Sequence, residues 1–173
     1  LKKGKKMAER FDFDSIYEEE TWTVMYQNGD GQQERFYDLI IKEIEKSNFP
    51  NLDISIGDFI TGGLIFGKET TKMLKLKATK SQFGKYEIYF RAQVFGNVVL
   101  FTRLECMERG FFNAITDKSG KELKSEMKKK CKNMAQLEEF IAIDSLGDLV
   151  YDKVLLIMDP EFRERKTLKS KSE

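Results

Sequence analysis

Tyr86-Glu-Ile-Tyr-Phe-Arg-Ala-Gln-Val-Phe-Gly-Asn-Val-Val-Leu-Phe-Thr-Arg-Leu-Glu-Cys106 is the stretch that decides the fold. Before the Gly96-Asn97 pair, Tyr86, Ile88, Phe90, Ala92 and Val94 alternate with Glu87, Tyr89, Arg91 and Gln93. After it, Val98, Leu100, Thr102, Leu104 and Cys106 alternate with Val99, Phe101, Arg103 and Glu105. A period of two belongs to half-buried strands, and Gly-Asn between two such runs is turn chemistry. Upstream, Leu52, Ile54 and Ile56 alternate with Asp53 and Ser55. Leu74, Leu76 and Ala78 alternate with Lys75, Lys77 and Thr79. Connections carrying Gly62-Gly63 and Gly84 join these runs. The expectation is a four-stranded antiparallel meander with one apolar and one mixed face.

Helical spacing flanks this core. Phe36, Leu39, Ile40 and Ile44 recur every three or four residues, and Ser47-Asn-Phe-Pro50 stops the run, which predicts a helix over 32–47. Beyond Gly110, helices are expected over Lys121–Asn133 and Ala135–Ile143. Leu146–Met158 fits a helix and a buried strand almost equally. Thr21-Trp-Thr-Val-Met-Tyr26 likewise reads as a strand or as a continuing helix. The resulting fold class is α+β, in the order α-β-β-β-β-α-α with helices on one sheet face. Residues 1–31 are expected as a partly ordered extension, 32–160 as the single domain and 161–173 as a flexible tail.

The chain has 173 residues, 40% hydrophobic and 34% charged, which suffices for a packed core. It contains no histidine. That excludes a Ser-His-Asp triad, a histidine-ligated zinc or haem and a histidine general base. Cys106 and Cys131 are not a CxxC pair and are expected as reduced, partly buried thiols. No apolar run approaches the ~18–20 residues of a spanning helix, so the chain reads as soluble and cytoplasmic. It starts at Leu1 and not at Met, as a piece of a longer protein would. Membrane attachment through segments outside the chain stays open.

Net charge of +1 hides blocks: +4 over 1–10, −9 over 11–60, +9 over 61–135, −5 over 136–160 and +2 beyond. Such alternation fits charge complementarity within the molecule better than a nucleic-acid stripe, and Glu126–Lys130 at i,i+4 reads as a solvated helix face. Gly62-Gly-Leu-Ile-Phe-Gly67-Lys68-Glu69 approaches a phosphate-binding loop, but Glu69 stands at the hydroxyl position and a strand pattern follows. Glu87 and Glu105 each lack the lysine two residues on that a metal-nuclease strand supplies. No catalytic, cofactor-binding or metal-ligating residue is therefore assigned.

The residues of contact remain. Tyr89, Arg91, Phe101 and Arg103 are expected together on the mixed face of two adjacent strands, with Glu87 and Glu105 beside them. Phe111 and Phe112 form a second candidate edge.

Phe36-Tyr-Asp-Leu-Ile-Ile-Lys-Glu-Ile-Glu-Lys-Ser-Asn-Phe-Pro50, followed by Asn51, and the strand pair Ala92-Gln-Val-Phe-Gly-Asn-Val-Val-Leu-Phe101 resemble a family of uncharacterised bacterial proteins. The resemblance spans roughly residues 33–105 and rests on the x-F-P-N turn and the Phe95-Gly96 corner. Thr102-Arg103 replaces the family's aromatic strand end. The resemblance implies a small α+β domain, sometimes attached to membrane segments, with no established activity. The functional expectation is a non-enzymatic binding or assembly module working through protein–protein contact, with a protein partner or homo-oligomer. The alternative is a pocket for a small apolar ligand between helix and sheet. No cofactor is expected.

Overall fold

A computed structural model describes residues 8–61, 69–79, 86–107, 128–129 and 131–170. The protein is α+β. Its strands are β1 (Glu9–Arg10), β2 (Ile16–Met25), β3 (Leu52–Ile60), β4 (Thr70–Ala78), β5 (Tyr86–Phe95) and β6 (Val98–Met107). Among the described residues its long helices are α1 (Gln32–Ser47), α2 (Met134–Met158) and α3 (Phe162–Ser170).

The four expected strands pair in sequence as an antiparallel run, but they are the middle of a larger sheet. That six-stranded sheet has the order β1-β3-β4-β5-β6-β2 and is mixed, because β1 runs parallel to β3. This corrects the four-stranded meander. Thr21–Met25 resolves as strand: Trp22 and Val24 are buried beside Phe101 and Val99, which gives β2 a period of two that its five-residue core alone was too short to display. Only Phe11–Ser15 separates β1 from β2, although they lie on opposite edges. A flat sheet would hold those edges about 24 Å apart. Six chain steps reach at most ~20–22 Å even fully extended, and this link includes a 3₁₀ turn at Phe13–Ser15. The sheet must therefore curl.

The link crosses the face away from the helices. Phe11 sits edge-on to Phe59 and Tyr89, at ring distances of 6.5 and 5.0 Å, and covers a small second core with Met73, Leu104 and Cys106. Glu9–Arg10 and Ile16–Met25, within the expected extension, thus belong to the sheet. On the opposite face α1 contributes Phe36, Tyr37, Ile40 and Ile44, and α2 contributes Phe140, Val150, Tyr151 and Val154 to the main core. Each fully buried large apolar side chain stabilises by roughly 1.5–3 kcal/mol. At Leu146–Met158 the helix prevails over the strand. Gly147 allows the close crossing, since a Cβ there would lie 2.6 Å from Ile88 Cδ1.

α3 lies where a tail is expected. Phe162 is buried against Trp22 at 4.7 Å, and Arg165 donates to Asp159 Oδ2 and to the Thr23 carbonyl, both at 2.9 Å. One backbone acceptor of edge strand β2 is thereby occupied, a common protection against pairing with other chains. Among the described residues no helix is long and apolar enough to cross a membrane.

Burial also sets the alkaline behaviour. Burial pushes the Cys106 thiol up to about 12 and the Tyr26 phenol up to about 12, and raises Tyr37, Tyr89 and Tyr151 above the phenol range. These groups ionise first in the unfolded chain, so their stabilising contribution is complete below about pH 8, where a free thiol is still protonated, and is lost as pH rises toward the folded values. The urea midpoint is expected to fall between about pH 8 and about pH 10.5. A constant midpoint over that range would contradict the burial of these groups.

Candidate functional site

The Gly96-Asn97 turn pairs Phe95 with Val98, so even-numbered residues of β5 share a face with odd-numbered residues of β6. Arg91 therefore lies opposite Thr102, while Arg103 lies opposite Phe90. The two arginines occupy opposite faces, which corrects the expectation of a shared one. The physical cause is the register of a two-residue hairpin, which alternation within each strand cannot reveal.

Arg103 and Phe101 face the helices and are buried, at 2% and 0% exposure. Arg103 is held among carboxylates. Its guanidinium contacts Glu105 and Asp148, and reaches Glu20 at 3.3 Å and Glu18 at 3.8 Å. Burial draws its pKa down, but Glu105, Asp148, Glu20 and Glu18 outweigh burial and leave it above the ordinary arginine value. Glu105 also accepts from the Tyr86 hydroxyl at 3.1 Å. This cluster ties β5, β6, β2 and α2 together. Tyr89 is buried under Phe11 on the other face. Phe111 and Phe112 lie outside the described residues.

Arg91 differs from all of these. The β4–β5 ladder runs from Lys77–Glu87 to Leu74–Phe90 and stops there, although β4 remains paired with β3 to Thr70 and β5 with β6 to Phe95. The sheet is split at this end. Tyr37, from the buried face of α1, stands in the gap. Its hydroxyl donates to the Lys72 carbonyl at 2.7 Å and accepts from the Ala92 amide at 3.3 Å, replacing a missing ladder rung. Gln33, one turn earlier, donates to the Ala92 carbonyl at 2.6 Å. The approach of α1 is set by Gly29, whose missing side chain lets it lie against the Gly96 carbonyl; a Cβ would sit 2.2 Å from that oxygen.

The split opens a cleft of ≈350 Å³ lined by Gln33, Asp58, Thr70, Thr71, Lys72, Arg91, Ala92 and Gln93. Every lining residue but Ala92 carries a polar side chain. The Arg91 guanidinium donates to Gln93 Oε1, while its buried Nε has no hydrogen-bond partner among the described residues. Burial lowers its pKa, against the pull of Tyr37, Glu19 and Glu69. An arginine nevertheless stays charged in a protein. Asp58, Lys72 and Arg91 make no ion pair among the described residues, although Asp58 and Lys72 are direct cross-strand neighbours. Arg91 thus borders the cleft without an ion pair among the described residues, while Asp58 and Lys72 are exposed on the helix-bearing face of the sheet.

Chemically this arrangement can bind charge. It presents cationic and neutral donors and one carboxylate, and among the described residues no three His, Cys, Asp or Glu converge as a metal site. Of the expected contact residues that the structure describes, only Arg91 lines the cleft. The signal for the rest was Tyr37, a hydroxyl on the apolar stripe of α1 that needs a polar partner inside the core. No family model, curated protein or solved structure matches the chain.

Proposed function

We propose that this protein is a binding module that seats an anionic group in the cleft between β4 and β5. The observation that carries this reading is Arg91, a partly buried guanidinium that makes no ion pair and leaves its Nε without a hydrogen-bond partner among the described residues, at the wall of a polar cleft. Withdrawing a cation from water is unfavourable unless an anion compensates it. A planar guanidinium matches an oxyanion with two parallel hydrogen bonds, which a solvated lysine does not reproduce. Thr71, on the same sheet face as Arg91, supplies a further donor on the opposite wall. The interior beneath α1, by contrast, holds Phe36, Ile40, Phe90, Phe101 and Tyr151 at 0% exposure. That filling favours a polar ligand at the split over an apolar one in the core.

Thermal unfolding at constant ionic strength tests the reading, with acetate and phosphate as probes and chloride as control. A ligand at about 100 times its Kd adds ~2.7 kcal/mol, or roughly 5–10 °C in Tm for a chain of this size. The wild type is expected to rise with at least one oxyanion and not with chloride, and Arg91→Gln to lose the response. An equal response in both proteins, or none in the wild type, contradicts the proposal.

A further inference from the structure

The outer edge of β3 is a second surface, independent of the cleft, and we infer that it joins two copies of this chain into a dimer with one continuous sheet. β1 pairs with β3 only at Phe59 and Ile60. Leu52–Asp58 therefore has β4 on one side and, among the described residues, no strand on the other. Unpaired backbone donors and acceptors along such an edge are a template for another strand. The opposite edge of the sheet is guarded, since Arg165 of α3 occupies the Thr23 carbonyl of β2. Leu52–Asp58 holds no lysine or proline, and its pairing with β4 runs without a bulge. Its two charges, Asp53 and Asp58, flank an uncharged Ile54-Ser-Ile56 centre, where Ile56 is left 44% exposed.

The order of these residues selects the occupant. Leu52-Asp-Ile-Ser-Ile-Gly-Asp58 is nearly symmetric about Ser55, and a two-fold dimer requires a self-complementary patch. With the strands antiparallel and the axis through Ser55, Ile54 meets Ile56 of the second copy, and Ile56 meets its Ile54. Both pairs lie on the helix-bearing face, where Ile54 packs on the main core and Ile56 stands opposite Leu74. Asp53 meets Gly57 and Asp58 meets Leu52, so no two carboxylates stand directly opposite, an arrangement that would be destabilising. The ends of the window also match. Leu52 of the second copy lies opposite Asp58, beside the Phe59 that β1 takes up, and Asn51 before it is left-handed at φ 58°, where the strand ends. An axis at Ile54 or Ile56 shortens the pairing.

Sedimentation over a concentration series tests the dimer, and Gly57 tests its register. A side chain at Gly57 meets nothing closer than 3.7 Å and needs no positive φ, so the fold admits one, which far-UV circular dichroism checks. Wild type is expected to dimerise with a Kd in about the micromolar range, as suits a small interface. Gly57→Asp faces Asp53 of the second copy twice and is expected to weaken the dimer ~10-fold, while Gly57→Lys tightens it ~3-fold or more. Ile56→Lys, at an exposed position, is expected to give a monomer. Amide exchange within Ile54–Ile56 is expected to slow as protein concentration rises. A wild type that stays monomeric overturns the inference, as does protection of those amides that is the same at every concentration, which would show the edge covered within the chain. A dimer whose Kd is unmoved by Gly57→Asp and Gly57→Lys, or moved in the same direction by both, places the contact elsewhere and overturns it as well.

Discussion

Arg103→Leu is expected to lower the free energy of unfolding by about 3–5 kcal/mol. Glu105 is fully buried beside the guanidinium, and Asp148, Glu20 and Glu18 converge on the same group. Removing the cation leaves carboxylates repelling one another, with Glu105 shut away from water. The Tyr86 hydroxyl still donates to Glu105 but supplies no charge. Leucine also forfeits the stacking of the guanidinium over the Tyr151 ring, 6.0 Å from its centroid. The companion variant Arg103→Leu/Glu105→Leu is expected to recover much of the loss, because a buried pair replaced as a unit by apolar side chains is often nearly neutral. Urea denaturation followed by circular dichroism measures both. A cost below ~1 kcal/mol for the single variant is what a solvent-facing arginine would show, and it would contradict the register that places Arg103 under α2.

The second large effect is at the wedge. Tyr37→Phe removes one oxygen from a side chain that is 2% exposed and leaves its packing in place. The Ala92 amide and the Lys72 carbonyl then lose the partner that substitutes for a strand rung. An orphaned buried backbone group costs about 1–3 kcal/mol, so the pair predicts a loss of ~2–4 kcal/mol. Amide hydrogen exchange gives the local signature: Ala92 is expected to exchange faster, while Ile88 and Phe90, still within the β4–β5 ladder, keep their protection. Stability within ~0.5 kcal/mol of wild type, with Ala92 still protected, would show that the strands close on each other without Tyr37 and that the cleft is not held open by it.

These two residues show how far the sequence carries. The alternations at Leu52–Ile56, Leu74–Ala78, Tyr86–Val94 and Val98–Cys106 are periods of two, and each stands as a strand because one face of each meets a core. The helix over 32–47 is legible for the same reason, since its apolar side repeats with helical spacing. What alternation cannot supply is the phase between neighbouring strands. Leu100, Leu104 and Cys106 look like the inward set, yet the hairpin register turns them away from α2 and sends Arg103 and Glu105 inward instead. The apolar residues on that outer face are used by Phe11, whose place depends on a chain segment that crosses the sheet. β1 has two residues and no period at all, so the mixed sheet was beyond pattern reading. The cleft was hidden for a further reason. It depends on where a ladder ends, which is set by a helix side chain at Tyr37 and not by any residue of the strands.

The split between β4 and β5 is where the fold and the proposed binding meet. Ladder pairing ends at Leu74–Phe90, Tyr37 and Gln33 satisfy the opened backbone, and Arg91 is left beside the gap with its Nε unpartnered among the described residues. The most direct test is a ¹⁵N-correlated NMR titration of the wild-type protein with phosphate and, separately, acetate at fixed pH and ionic strength, observing backbone amides together with arginine Nε–H and glutamine side-chain resonances. The account predicts saturable shifts centred on Arg91 Nε–H, the Gln33 and Gln93 side-chain amides and the backbone of Thr70–Lys72. Saturable shifts centred away from this cleft, or only weak linear shifts spread over surface lysines, would contradict it.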